Sequence, residues 1–208
     1  MRANMQTIVA GLAMGVGLML GVAGTSDARV SLGPQVGFAL NNYIYGGSAT
    51  PPTRSFTPGF TGGVDLQLDG LGAGLDVSAV FDMQGAKFDD AAVTFHNNYI
   101  TMPILLKLNL VDSPVQLSLR VGPTVGLLVG ATASSATASQ SVDSTFHDFL
   151  LSAVGGVGLQ FPLARGVRLD ILARTQISLL RVDNFTDDQP VRNLSLQILV
   201  TPLFELVR

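Results

Sequence analysis

In the stretch VRLDILARTQISLL, residues 167–180, Arg168, Asp170, Arg174, Gln176 and Ser178 fall on one parity, and Val167, Leu169, Ile171, Ala173, Ile177 and Leu179 on the other. Alternation of period two belongs to a strand with two unlike faces, because successive side chains leave opposite sides of the pleat. A water-soluble sheet buries its aliphatic parity, whereas a barrel in a membrane turns that parity to lipid and encloses the polar one. The pattern alone does not choose between them.

Seven further segments alternate or nearly alternate, and none shows helical periodicity long enough to cover a core. They lie at about 30–40, 59–68, 71–86 and 98–110, after the turn VDSP (111–114), at about 149–161, and at about 191–206. In the segment after VDSP, Leu117, Leu119, Val121, Val125 and Leu127 oppose Gln116, Ser118, Arg120 and Thr124. In the last, Leu194, Leu196, Ile198, Val200 and Phe204 oppose Ser195, Gln197, Thr201 and Glu205. Asp69-Gly70 reads as a tight hairpin turn. Tight turns at 69–70, 111–114 and 163–166 alternate with longer polar connections at about 41–57, 87–97, 132–147 and 183–190. Outer-membrane barrels carry this asymmetry, with short periplasmic turns, long outside loops and an even number of strands.

Composition decides between the two environments. The 208 residues are 47% hydrophobic and only 13% charged, against a usual charged share of about 25%. Lysine occurs only at Lys87 and Lys107, too few to solvate the polar parities of a water-facing sheet. The expectation is therefore an all-β fold: an eight-stranded antiparallel up-and-down transmembrane barrel in the outer membrane, with its aliphatic parity in contact with lipid. Closure is required, because an open edge in hydrocarbon leaves backbone groups unpaired at several kcal/mol each. Side chains just fill the lumen of eight strands, so Asp65, Asp76, Asp82, Asp170 and Glu205 are expected to compensate Lys107, Arg120, Arg168 and Arg174 in a packed polar network and not an open pore. Tyr43, Tyr45, Tyr99, Phe38, Phe60, Phe81, Phe149, Phe161 and Phe204 supply the aromatic girdle. Pro34, Pro103 and Pro123 each remove a ladder donor, and bulges are expected there.

The first 28 residues read differently. Arg2, an apolar run from about Ile8 to Ala23, and the small-x-small site Ser26-Asp27-Ala28 form a signal peptide, leaving 29–208 as the barrel domain. The Ser-, Thr- and Ala-rich stretch 131–146 reads as a loose, surface-exposed loop.

YITMPILLKLNL (99–110), RVGPTVGLLVG (120–130) and DFLLSAVGGVGLQFPLARGVRLDILAR (148–174) resemble the PorT-like outer-membrane β-barrel family. The resemblance implies an eight-stranded barrel and, for some members, an accessory role in secretion or at the cell surface, with no catalytic centre to carry over.

Candidate chemistry is sparse. His96 and His147 are the sole imidazoles, and both fall in or beside expected loops. His147-Asp148 with Ser144 or Ser152 would be the elements of a rim enzyme, but adjacency in sequence does not supply a base with an orienting partner. Asp89-Asp90 and Asp187-Asp188 could gather a cation only if their loops met. The glycines of DGLGAG (69–74) and GGVG (155–158) lack the helix and Gly-Lys-Ser/Thr of a phosphate cradle. A net charge of −3 without a basic run leaves no footprint for nucleic acid, and no cysteine is present for disulfides or thiolate metal sites. The expectation is thus a non-enzymatic barrel without a cofactor. Its neighbours would be outer-membrane lipids, and its loops would meet an envelope or extracellular protein partner. A rim-active enzyme on lipid or peptide, and a conduit for small solutes or lipid, are the alternatives.

Overall fold

The computed structural model describes residues 29–45, 53–70, 72–111, 114–183 and 191–207. The expected leader, 1–28, and the acidic pair Asp187-Asp188 lie outside them. The described strands are β1 (Arg29–Tyr45), β2 (Arg54–Ser55), β3 (Thr57–Asp69), β4 (Ala73–Phe88), β5 (Val93–Val111), β6 (Gln116–Ser134), β7 (Ser139–Ser141), β8 (Phe149–Ala164), β9 (Val167–Ser178) and β10 (Val191–Val207). The eight long ones pair with their sequence neighbours, all antiparallel, and β1 pairs with β10 as well as β3, so the sheet closes on itself. The short β2 and β7 attach to β4 and β6 beyond the wall of the barrel.

Closure sorts the parities. On β10 Ile198 is 58% exposed while its neighbour Leu199 is 0% exposed, because one faces outward and the other inward. The outward rows are mostly apolar: Leu32, Val36, Phe38 and Leu40 on β1, Leu106 and Leu108 on β5, and Leu119, Val121 and Leu127 on β6 are all exposed. The inward rows bury most of the polar residues, among them Gln35, Thr61, Asp82, Lys107, Arg120 and Asp170. This is the inverse of a soluble protein, and it is stable where the outward rows meet hydrocarbon. In the opening stretch the aliphatic parity is the outer one. Among the described residues no helix is long and apolar enough to cross a membrane, and the strands provide the crossing.

Several local expectations are corrected. The connection expected at 87–97 shrinks to 89–92, because β4 continues to Phe88 and β5 begins at Val93, with Gly85 opposite His96. His96 is therefore a strand residue. Polar residues such as His96 and Asn97 read as loop, yet beyond the lipid both faces of a strand tolerate them. The stretch 131–146 keeps its expected exposure over 135–141 but carries regular structure: β6 runs to Ser134, β7 folds back on it, a single 3-10 turn spans Asp143–Thr145, and Phe146 is buried.

Tyr43 and Tyr99 do not join the girdle. Both lie on the inward row and are buried, whereas Phe38, Phe60, Phe81, Phe149 and Phe204 are exposed on the lipid side. Pro34, Pro103 and Pro123 cause no bulge. Opposite Pro34 the β1–β10 ladder passes from Leu32↔Phe204 to Val36↔Val200, and next to Pro103 the β4–β5 ladder passes from Val77↔Ile104 to Val80↔Thr101, with the register kept in each case. A missing donor interrupts pairing without inserting a residue. The register shifts elsewhere, at Val30/Ser31, Asn109/Val111 and Pro162/Ala164 near the tight-turn end and between Asn98 and Tyr99, where β5 steps from Gly130 to Leu128 of β6. That bulge at Val129 changes which parity of β6 faces inward and places Ala131 in the interior.

Candidate functional site

The interior of the barrel holds the only dense constellation of charge among the described residues, and it is layered. Near the tight-turn end, Arg120 on β6 reaches across the lumen, donating from Nη1 to Asp76 Oδ2 at 2.6 Å and to Asp170 Oδ2 at 2.8 Å, and from Nη2 to Asp170 Oδ1. Lys107 on β5 donates to Asp69 Oδ1 at 2.7 Å and to Gln67 Oε1 at 3.1 Å. Arg168 on β9 donates to Asp69 Oδ2 at 3.0 Å, Gln160 Oε1 at 3.0 Å and Ser31 Oγ at 2.9 Å. Gln67 donates to both Asp65 and Asp170, and Gln160 donates to Gln67 at 2.6 Å. Asp65 also accepts from Ser78 Oγ at 3.0 Å. Seven of the eight wall strands, all but β10, thus contribute to one lattice.

Such a lattice is tolerable only because its charges satisfy one another. Taking an ion out of water costs several kcal/mol, which paired and hydrogen-bonded geometry repays. Lys107 is 0% and Arg120 1% exposed, so at this level the lumen is filled by side chains. The glycines of β8 make the room: Gly156 stands in register between Arg120 and Arg174, and Gly158 lies between Ser118 and Leu172.

Of the residues expected in the network, Asp65, Asp76, Lys107, Arg120, Arg168 and Asp170 meet in this lattice. Asp82 and Arg174 belong to a second group closer to the loop end. Arg174 Nε donates to Gln197 Oε1 at 2.6 Å, and Gln197 Nε2 donates to Asp82 Oδ1 at 3.1 Å, so an amide relays between the two charges. Asp82 also accepts from Thr61 Oγ1 and Gln84 Nε2. Glu205 joins neither group: it lies at the tight-turn rim, and its Oε1 has no hydrogen-bond partner. Asp69, assigned above to a turn, is the acid that both Lys107 and Arg168 use. Its parity, shared with Asp65 and Gln67, was the signal for it. The buried aliphatics Leu105, Leu172 and Leu199 were also missed; they interrupt the polar rows of their strands.

Toward the loop end the interior turns apolar. Tyr43, Tyr99, Ala86, Ala131, Phe146, Leu150, Val182 and Val191 form one buried cluster, with Phe88 and Phe95 packed against it. Phe146 lies 6.5 Å from the Tyr43 ring and 6.1 Å from that of Phe95. Asn97 Nδ2 donates to Tyr43 OH at 2.9 Å.

The remaining candidates stand at separate levels of the barrel. Ser152 faces the lumen, where Gln176 Nε2 donates to it at 3.4 Å, while His147 sits at the loop end with its backbone N–H on Val182 O. Asp89 accepts from Ser55 Oγ and Asp90 from the Thr53 N–H, so both carboxylates fasten the segment before β3. Among the described residues no cluster of ligating side chains could hold a metal ion.

A closed barrel with an aliphatic exterior and an ionic interior is the architecture of outer-membrane proteins, and residues 23–180 match the family model described as outer membrane protein beta-barrel domain. The chain belongs to that family. It is an integral protein of the outer membrane. No curated protein matches it. Among solved structures it is similar to Neisserial surface protein A, with 13% identity over 85% of this chain and 99% of that one and a TM-score of 0.51. The outer membrane protein OprG of Pseudomonas aeruginosa gives 6% identity, 86% and 95% coverage and a TM-score of 0.55. A major outer membrane protein of Thermus thermophilus gives 14%, 85% and 99%, and 0.51. At these identities the likeness is one of fold.

Proposed function

We propose that this barrel is a non-enzymatic outer-membrane protein that presents a polar sheet at the cell surface to a protein partner, in an accessory role in the envelope or in secretion. The observation that carries the reading is the sheet that outruns the lipid. The exposed aliphatic row of β6 ends at Val129, yet the strand runs on to Ser134, pairing with Thr94–Asn98 of β5 on one side and with β7 on the other. A spanning strand needs only about 9 to 11 residues, whereas β5 and β6 have 19 each. Ser139, Gln140 and Ser141 on β7 are exposed polar residues, suited to hydrogen-bonded recognition. The resemblance of 99–110 and 120–130 to PorT-like barrels supports the accessory role.

Photo-crosslinking in intact cells tests it. A photoreactive residue in place of Gln140 is expected to trap a discrete protein adduct, and one in place of lipid-facing Val157 is not. Equal protein adducts at both positions, or none at Gln140, would sink the surface-partner reading. For the enzyme alternative, joint replacement of His96 and His147 is expected to leave the cellular phenotype unchanged with the barrel folded, since the sequence supplies neither imidazole with an orienting catalytic partner.

A further inference from the structure

On the lipid side of the wall a groove of about 350 Å³ crosses β9, β10 and β1. Two ladder rows form it: Phe38, Ile198 and Ala173 stand side by side in one, and Leu40, Leu196 and Thr175 in the other. Phe38, Leu40, Leu196 and Ile198 project from the sheet as exposed side chains, whereas Ala173 and Thr175 are short, so the surface drops over β9. It stays low on β8, because Gly155 pairs with Thr175 and a Cβ on residue 155 would meet nothing within 4 Å. Arg174 and Gln197 back the floor from the lumen side, hydrogen-bonded to each other at 2.6 Å. A hydrocarbon chain laid in such a groove gains contact on its flank as well as beneath it, and these dispersion contacts accumulate.

The groove has a charged end. On β10 the outward row runs from Ile198 through Leu196 and Leu194 to Arg192, which stands exposed opposite Ile44 of β1. At about 3.4 Å per residue, the Cα of Arg192 lies roughly 14 Å beyond that of Leu196 toward the loop end. Lys87 is the other cation on the outward rows at this end of the described wall, and its Nζ lies 3.8 Å from Asp89 Oδ1. Arg192 has no ion pair with any described residue. A cation on a lipid-facing row is tolerated at the interface, where its head reaches the polar layer. The planar guanidinium fits two phosphate oxygens at once.

We propose that this part of the wall is a specific site for a phosphate-bearing lipid, with one acyl chain in the groove and the headgroup phosphate on Arg192. Position and charge select the occupant: the groove is lined by apolar side chains that face the membrane, and the cation stands at its loop end, where the headgroup layer begins. An uncharged lipid would fill the groove and leave Arg192 unanswered. The proposal does not depend on the surface-partner reading, which concerns β5, β6 and β7.

Native mass spectrometry of the purified, folded barrel in neutral detergent micelles tests the site, with dipalmitoyl phosphatidic acid or dipalmitoylglycerol added, because these lipids differ only in the phosphate. Phosphatidic acid is expected to be retained the more tightly. Arg192→Gln should weaken its retention by roughly tenfold and leave that of dipalmitoylglycerol unchanged, whereas Ala173→Phe, which fills the groove, should weaken both. Lys87→Gln is the control and should change neither. Equal retention of the two lipids by the native barrel, or an equal loss in Lys87→Gln and Arg192→Gln, would reduce the site to general lipid contact and overturn the proposal. Unchanged retention in Ala173→Phe would overturn the placing of the chain in the groove, and a dimer mass abolished by Ala173→Phe would give the groove to a second copy. Ala173 and Arg192 both face outward, and heat-modified gel mobility verifies that each variant is folded.

Discussion

Gly158 lies under the guanidinium of Arg120: a Cβ on residue 158 would stand 2.8 Å from Arg120 Nη2 and 2.8 Å from Ser118 Oγ. Since that Nη2 is committed to Asp170, the guanidinium cannot swing aside without breaking the lattice. Gly158→Val should therefore destabilise the folded barrel by about 3–5 kcal/mol, the cost of breaking a buried pair. Gly155 is the control, for it has nothing within 4 Å of its Cβ direction, and Gly155→Val should shift stability by no more than about 0.5 kcal/mol. Urea unfolding in lipid vesicles measures both.

Arg120 bridges two acids, so its loss strands both. Arg120→Met should cost about 3–5 kcal/mol alone, and much less when combined with Asp76→Asn and Asp170→Asn, because removing all partners abolishes the uncompensated charge. Additive losses in the combined variant would show that the lattice is not a coupled unit.

The same lattice bears on transport. Planar-bilayer recordings of the purified barrel should show no steady conductance of the porin type, because the Arg120 level is spanned by hydrogen-bonded side chains and eight strands leave little free section. Large stable steps would contradict the packing around Arg120.

Topology follows from the connections. An epitope inserted at Thr137, at the tip between β6 and β7, should be bound by antibody and removed by protease on intact cells. One at Arg165, in the tight turn after β8, should become accessible only when the outer membrane is opened. Reversed labelling would invert the orientation.

Processing at Ala28 predicts a mature chain that begins with Arg29, which is also the first residue of β1. Intact mass of protein isolated from outer membranes checks this; a chain retaining residues 1–28 there would contradict it.

The sequence by itself determined the architecture, through its hydrophobic pattern and its composition together. Period two in 167–180, broken on the polar parity only by Leu172 and Leu180, repeated through the chain and joined by alternating short and long connections, leaves a closed barrel as the fold that satisfies every backbone group in lipid, and the scarcity of lysine assigned the aliphatic parity to the outside. Most of the lattice was legible for the same reason, since Asp65, Asp76, Arg120 and Asp170 stand on polar parities that closure must bring together. Which acid meets which base was not legible, because partners such as Arg120 and Asp76 lie on strands that are not adjacent, and their meeting depends on the stagger of the wall and on the space left by Gly156 and Gly158. The bulge at Val129, which turns Ala131 inward, and the capture of Phe146 by the mouth of the barrel were likewise decided by tertiary structure. Around Phe146 a local pattern of Ser, Thr and Ala signals exposure, and packing against Tyr43 and Phe95 supplies apolar contact that offsets the entropy of ordering that residue.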